Sequence, residues 1–176
     1  VNWNGAWDGD GTSWATAFPH VRSAIEAAAA GDEIWVRGGG SYDLGSAILV
    51  DKAVKLHGGF AGGETELSQR NPEKNETIID MVNVPKDRCF YVTADATIDG
   101  FTIRGGMAGG TGDDCRGGGI FVLGAGPTIR NCLFYDNRSD GCNGGAIYLK
   151  SADGASISNC IFTRNRADGS GGAMVA

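Results

Sequence analysis

Carboxylates gather in the turns of this chain: Asp8 and Asp10 in the run WDGDG, Asp113 and Asp114 before Cys115, then Asp136, Asp140 and Asp168. Several oxygens held close together suit a hard cation, and calcium is the ion such a site would take. None of these runs has the spacing of a calcium loop, and Asp beside Gly also builds turns. The turn reading is preferred, with no cofactor expected. Arg130, Arg138, Arg164 and Arg166 could supply a lyase base or a clamp for uronates, or simply decorate a solvated face. Two carboxylates facing each other across a cleft would carry glycoside hydrolysis, but the linear order pairs no two of them. No residue is assigned a catalytic role.

The five cysteines divide by their surroundings. Cys132 and Cys160 are flanked by Ile, Leu and Phe; with Cys89, which falls at the position of Ile120, they read as small buried hydrophobes. Cys115 and Cys142 sit in polar loops, GDDC and SDGC, each before a Gly-Gly pair. On successive turns of a repeat these loops are neighbours, which makes the two a disulfide candidate in an oxidising location. A zinc site is not expected, since there is no Cys-x-x-Cys pair, and His20 and His57 lie in a helix and in a Leu-His-Gly-Gly turn. Trp3, Trp7 and Trp14 could form a stacking platform for glycans, but packing of the N-terminal region against the first coil is preferred. Asn75-Glu76-Thr77 and Asn137-Arg138-Ser139 match the N-glycosylation pattern, a frequent chance match.

What must position these residues is a repeat. Residues 118–137 read GGIFVLGAGPTIRNCLFYDN and residues 144–165 read GGAIYLKSADGASISNCIFTRN; a third copy opens at Gly171-Gly172-Ala173. Ile129 and Ile157, Asn131 and Asn159, Cys132 and Cys160, Phe134 and Phe162, and Asn137 and Asn165 share one offset of 28 residues. A looser copy, residues 97–103, lies 31 residues before 128–134. Periods of this length signal solenoids or propellers. The apolar runs are too short for helices and are bounded by Gly, Asn and Asp, so they read as strands. A lone Asn separates two of them, which bends a chain without reversing it, because Asn tolerates the left-handed conformation. That excludes the hairpins of a propeller blade. Stacking then places Asn131 over Asn159, Cys132 over Cys160 and Phe134 over Phe162, while Arg130 points outward. The fold predicted is all-β, a parallel β-helix.

Gly 30 with only Pro 4 suits many turns in a sheet that cannot spare amide donors. The net charge of −6 and the lack of a clustered Lys/Arg face argue against nucleic-acid binding. No apolar run is long enough to insert in a membrane. Residues 19–30 (PHVRSAIEAAAA) place Val21, Ala24, Ile25 and Ala28 on one helical face, with Pro19 in the first turn and Gly31 at the C-terminal cap. Residues 1–32 are therefore expected to form an N-terminal cap, helix included, over the open bottom of coils running from 33 to 176. The coils are expected to continue beyond Ala176, or else the last edge is covered by another copy in a head-to-tail filament. The opening at Val1, with no signal peptide, suits a trimmed secreted protein as well as a cytosolic one.

Asp10-Gly11-Thr12-Ser13-Trp14-Ala15, Gly31-Asp32-Glu33-Ile34-Trp35-Val36, Leu56-His57-Gly58-Gly59-Phe60 and Asn75-Glu76-Thr77-Ile78-Ile79-Asp80 resemble the opening of secreted bacterial right-handed β-helix proteins of the pectate-lyase-like superfamily. The resemblance covers nearly the whole chain. It implies the fold and an extracellular or cell-surface location, but not an activity, since this scaffold carries adhesins as well as polysaccharide lyases and hydrolases.

Two functional classes follow. One is a non-catalytic structural or adhesive module whose partners are polysaccharide or other copies of itself. The other is a polysaccharide-processing enzyme with its catalytic residues late in the segment or outside it. Enzymes on this fold build clefts from long insertions, and residues 137–144 and 165–171 are short, which favours the first.

Overall fold

The computed structural model describes residues 1–5, 8–43, 45–82 and 86–176. Strands of two to six residues wind into a solenoid with three faces of five strands each, every pair parallel. The first face holds Glu33–Arg37, Lys55–Phe60, Thr97–Asp99, Thr128–Arg130 and Ser156–Ser158. The second holds Gly40–Asp43, Thr77–Asp80, Thr102–Arg104, Leu133–Tyr135 and Ile161–Thr163. The third holds Ile48–Val50, Phe90–Val92, Ile120–Leu123, Ile147–Lys150 and Met174–Val175.

The strands are short because the chain turns a corner at residues with positive φ. Between the first and second faces Gly100, Asn131 and Asn159 occupy one corner position at φ 83°, 54° and 49°. Asn takes this conformation at less cost than other L-residues because its amide bonds locally. The registers align the inward side chains in columns: Ile34, Leu56, Ile98, Ile129 and Ile157 on the first face; Tyr42, Ile79, Ile103, Phe134 and Phe162 on the second; Ile48, Phe90, Ile120, Ile147 and Met174 on the third. The three columns meet in one continuous core, apart from Met174, which is exposed on the last rung. Each large side chain taken fully from water contributes about 1.5–3 kcal/mol.

Three expectations need correction. The helix runs only over Val21–Ala27, with His20 as its N-cap, so Pro19 lies outside it and Gly31 beyond its cap. It stops early because Lys52, from the first rung, donates its ammonium to the carbonyls of Ile25, Glu26 and Ala28 and so satisfies the last turn. Cys89 does not fall at the position of Ile120; Phe90 does. The adjoining Gly118 and Gly119 have no side chains to fix the alignment, and Cys89 is buried one place earlier, its thiol near the Arg104 carbonyl and the Asn137 amide. His57 lies in a strand rather than a turn, and its side chain is buried. Among the described residues no helix is long and apolar enough to cross a membrane.

Candidate functional site

Outward on the first face, one column reads Trp35, His57, Asp99, Arg130 and Ser158. Asp99 is fully buried although it points away from the core, because residues 61–76 leave the second rung as an insertion and fold over this face. Gly59 permits that approach: at φ 96°, a Cβ there would come within 2.7 Å of Pro72. Arg70 in the insertion pairs with Asp99 Oδ1 at 2.7 Å and donates to the carbonyls of Gly58 and Asp99. Arg130 Nε donates to Asp99 Oδ2 at 2.8 Å, Asn131 Nδ2 donates to Oδ1 at 2.7 Å, and His57 Nδ1 stands 3.5 Å from Oδ2. Burial alone would raise the Asp99 pKa, but His57, Arg70, Asn131 and Arg130 together hold it well below the carboxylate range. Such a carboxylate binds cations tightly and does not serve as a general acid.

Between this insertion and the asparagine corner lies an open groove of about 850 Å³. Leu67, Arg70 and Glu73 form its wall, and Asn131, Leu133 and Ile161 its floor. The sequence carries no repeat signal for this feature, since the insertion occurs once, whereas the short loops at 137–144 and 165–171 belong to later rungs.

The repeat residues stack at the corner. Asn159 Nδ2 donates to Asn131 Oδ1, continuing the ladder that ends on Asp99. Phe134 and Phe162 are parallel at 4.9 Å. Cys132 is buried and Cys160 half-buried, both as thiols. A hydrogen bond from Cys132 lowers the Cys160 pKa to about 7, whereas burial pushes that of Cys132 up. A second ladder runs inside the next corner: Asn137, fully buried, donates to Ile103 O and Asn165 Oδ1 and accepts from Gly106 N. Its amide nitrogen is thus occupied in the interior, and that of Asn75 is bonded to Gly59 O. The glycosylation match at Asn137 is not presented for modification in the fold, whereas Asn75 is half-buried.

On the third face the outward column is Leu49, Tyr91, Phe121, Tyr148 and Val175. Arg88 lies 4.8 Å over Phe121 and Arg116 lies 5.0 Å over Tyr148. Arg88 also donates to the carbonyls of Asp113 and Asp114, fastening their loop across the aromatics. Cys115 and Cys142 are joined in a disulfide, Cα–Cα 5.5 Å, that ties this loop to the next rung. Reduction, or Cys142→Ser, is expected to lower the unfolding free energy by about 2–4 kcal/mol. Denaturant titration with and without reductant checks this; peptide mapping of the unreduced protein should find these two cysteines linked and Cys132 and Cys160 unlinked.

The turn carboxylates are largely engaged. Asp10 accepts from Thr16 and Thr12, which lower its pKa to about 2. Asp113 pairs with Lys150 and Arg116, Asp140 with Arg138, and Asp168 with Arg138 and Arg166. Arg164 donates to the Tyr135 hydroxyl. Among the described residues no three His, Cys, Asp or Glu side chains gather as a metal site. Arginine and lysine thus occupy carboxylate oxygens of Asp113, Asp140 and Asp168, and threonine hydroxyls one of Asp10. Of the tryptophans, Trp14 packs 5.5 Å from Phe60, Trp3 is 41% exposed with Arg37 over its ring, and Trp7 lies outside the described residues.

A three-faced parallel solenoid with amide ladders at its corners defines the class as a parallel β-helix. The family described as Right handed beta helix region matches residues 86–175, and the chain belongs to it. No curated protein and no solved structure matches the chain significantly.

Proposed function

We propose that this chain is a non-catalytic structural or adhesive module of an extracellular or cell-surface protein, a rigid post whose repeated faces meet polysaccharide or other copies of itself. One observation carries the proposal: the arginines on the rung faces that polysaccharide cleavage would employ are bound to carboxylates. Asp99 holds Arg70 and Arg130, Asp80 holds Arg104, and Asp113 and Asp168 hold Lys150, Arg138 and Arg166. An arginine or carboxylate committed in this way is a poor base, and a carboxyl kept ionised is a poor acid. The disulfide supports an oxidising location, where such bonds persist.

The insertion 61–76 favours the second reading, a polysaccharide-processing enzyme, because it walls a groove as enzyme clefts are walled. Assays on pectate, alginate and chondroitin, with and without calcium, decide between the two. No unsaturated or reducing-end products are expected; products that vanish on mutating one groove residue, such as Glu73→Gln, would establish the enzyme.

A further inference from the structure

A second cavity, of about 700 Å³, opens between the N-terminal segment and the first rung. This volume is in the range that encloses small ligands. Trp14 and Trp35 both line it. Phe60 stacks on Trp35 at 4.7 Å and 11°, and the Trp14 indole N–H donates to Glu64 O at 2.9 Å, so both rings are fixed before any ligand arrives. Their centroids are 6.5 Å apart with the planes tilted by 40°, which makes an angled aromatic surface wider than one ring. A pre-ordered aromatic surface loses little entropy on binding.

The charged side chains at the rim have one sign, and the α-amino group of Val1, which also lines the cleft, is turned onto the Trp35 carbonyl. Asp10, Asp32, Glu33 and Glu64 line the cleft, and among the described residues no Lys or Arg does; Lys55 reaches Glu33 from outside it. The four do not converge on a point where a metal ion could sit. They are spread around the tryptophans. Three backbone N–H groups, of Ala61, Gly62 and Gly63, fix the Glu64 carboxylate, and Thr16 and Thr12 fix that of Asp10. Carboxylates accept hydrogen bonds and cannot donate them when ionised. The complementary ligand therefore brings donors, positive charge and a flat apolar face. A protonated aminohexose has all three: hydroxyl and ammonium donors at its edge and a C–H face that lies on an indole, with the cation near the ring. A uronate brings like charge and is repelled.

We infer that the cleft between residues 10–18 and the first rung binds a cationic amino sugar of the glucosamine type within a polysaccharide, its ring against Trp14 and Trp35 and its ammonium among the rim carboxylates. This rests on polysaccharide being the partner of the module. Tryptophan fluorescence of the 176-residue chain is titrated with a glucosamine oligomer at mildly acidic pH, where the amines are protonated and Asp10, Glu33 and Glu64, whose pKa values are lowered, are ionised. A saturable change is expected. It should weaken at high salt and lose about tenfold in affinity or more, a difference of about 1.4 kcal/mol, in the double variant Asp32→Asn, Glu33→Gln. Both positions are exposed, and Asn and Gln each keep a side-chain oxygen to accept from Ala29 N and Trp35 Nε1; circular dichroism of the variant checks that the fold is kept. Trp35→Ala should abolish binding, and Trp3→Ala, outside the cleft, should leave it unchanged.

Equal binding by the N-acetylated oligomer, by oligogalacturonate or by oligolysine would overturn the inference, as would unchanged affinity in the double variant. Absence of binding would remove the cleft while leaving the result of the depolymerisation assay to stand on its own.

Discussion

Asp99→Ala is expected to lower the unfolding free energy by about 3–5 kcal/mol, the usual consequence of removing one partner from a buried ion pair. Asp99 is fully buried and holds Arg70, Arg130, Asn131 and His57 at once. Without it the Arg70 guanidinium, 14% exposed, remains under the insertion with no counter-charge, and the buried His57 loses the carboxylate oxygen nearest its Nδ1. The acid dependence should change as well. The folded-state pKa of Asp99 is depressed, so its stabilisation is complete above the ordinary carboxylate value of about 3.9 and is withdrawn as the pH falls toward the folded value. Below pH about 4 the wild-type advantage over Asp99→Ala should therefore shrink. Urea titrations of both proteins across the acid range check this. A constant difference at every pH would mean that packing, rather than charge, holds the insertion.

Phe134→Ala is expected to cost about 3–5 kcal/mol. Phe134 has no exposed surface and lies parallel to Phe162 at 4.9 Å, so its removal opens a cavity shared by two rungs that neither rung can close without shifting its ladder. The outward control is Ser158→Ala, for which less than about 0.5 kcal/mol is expected. Arg130 is unsuitable as a control even though it points outward, because it is bound to Asp99. Equal losses at Phe134 and Ser158 would contradict the inward and outward assignment.

The features visible in the sequence are those the solenoid repeats. Ile129, Asn131, Cys132 and Phe134 each have a twin at one offset, and each lies on that twin in the fold because adjacent rungs give identical positions identical surroundings. What happens once leaves no such trace. The insertion 61–76 belongs to a single rung, and with it go Arg70 and the burial of His57 and Asp99. The two glycines after His57 suggest a turn, whereas Gly59 serves the close approach of the insertion at Pro72 and Gly58 that of the Gly100 carbonyl on the next rung. Asn137 and Asn165 did align, but a polar residue gives no sign from sequence alone that its amide is satisfied inside the fold. Both tryptophans of the N-terminal cleft, Trp14 and Trp35, were visible, yet only folding brings them together from opposite sides of the helix.

A non-catalytic role as a binding post stands or falls on one pairing of measurements on one sample. The chain is mixed with polysaccharide, its sedimentation is followed, and the chain length of the recovered polymer is then determined. Co-sedimentation with polymer of unchanged length is the predicted result. Polymer recovered shortened, with new chain ends that accumulate in proportion to protein and time, would contradict it.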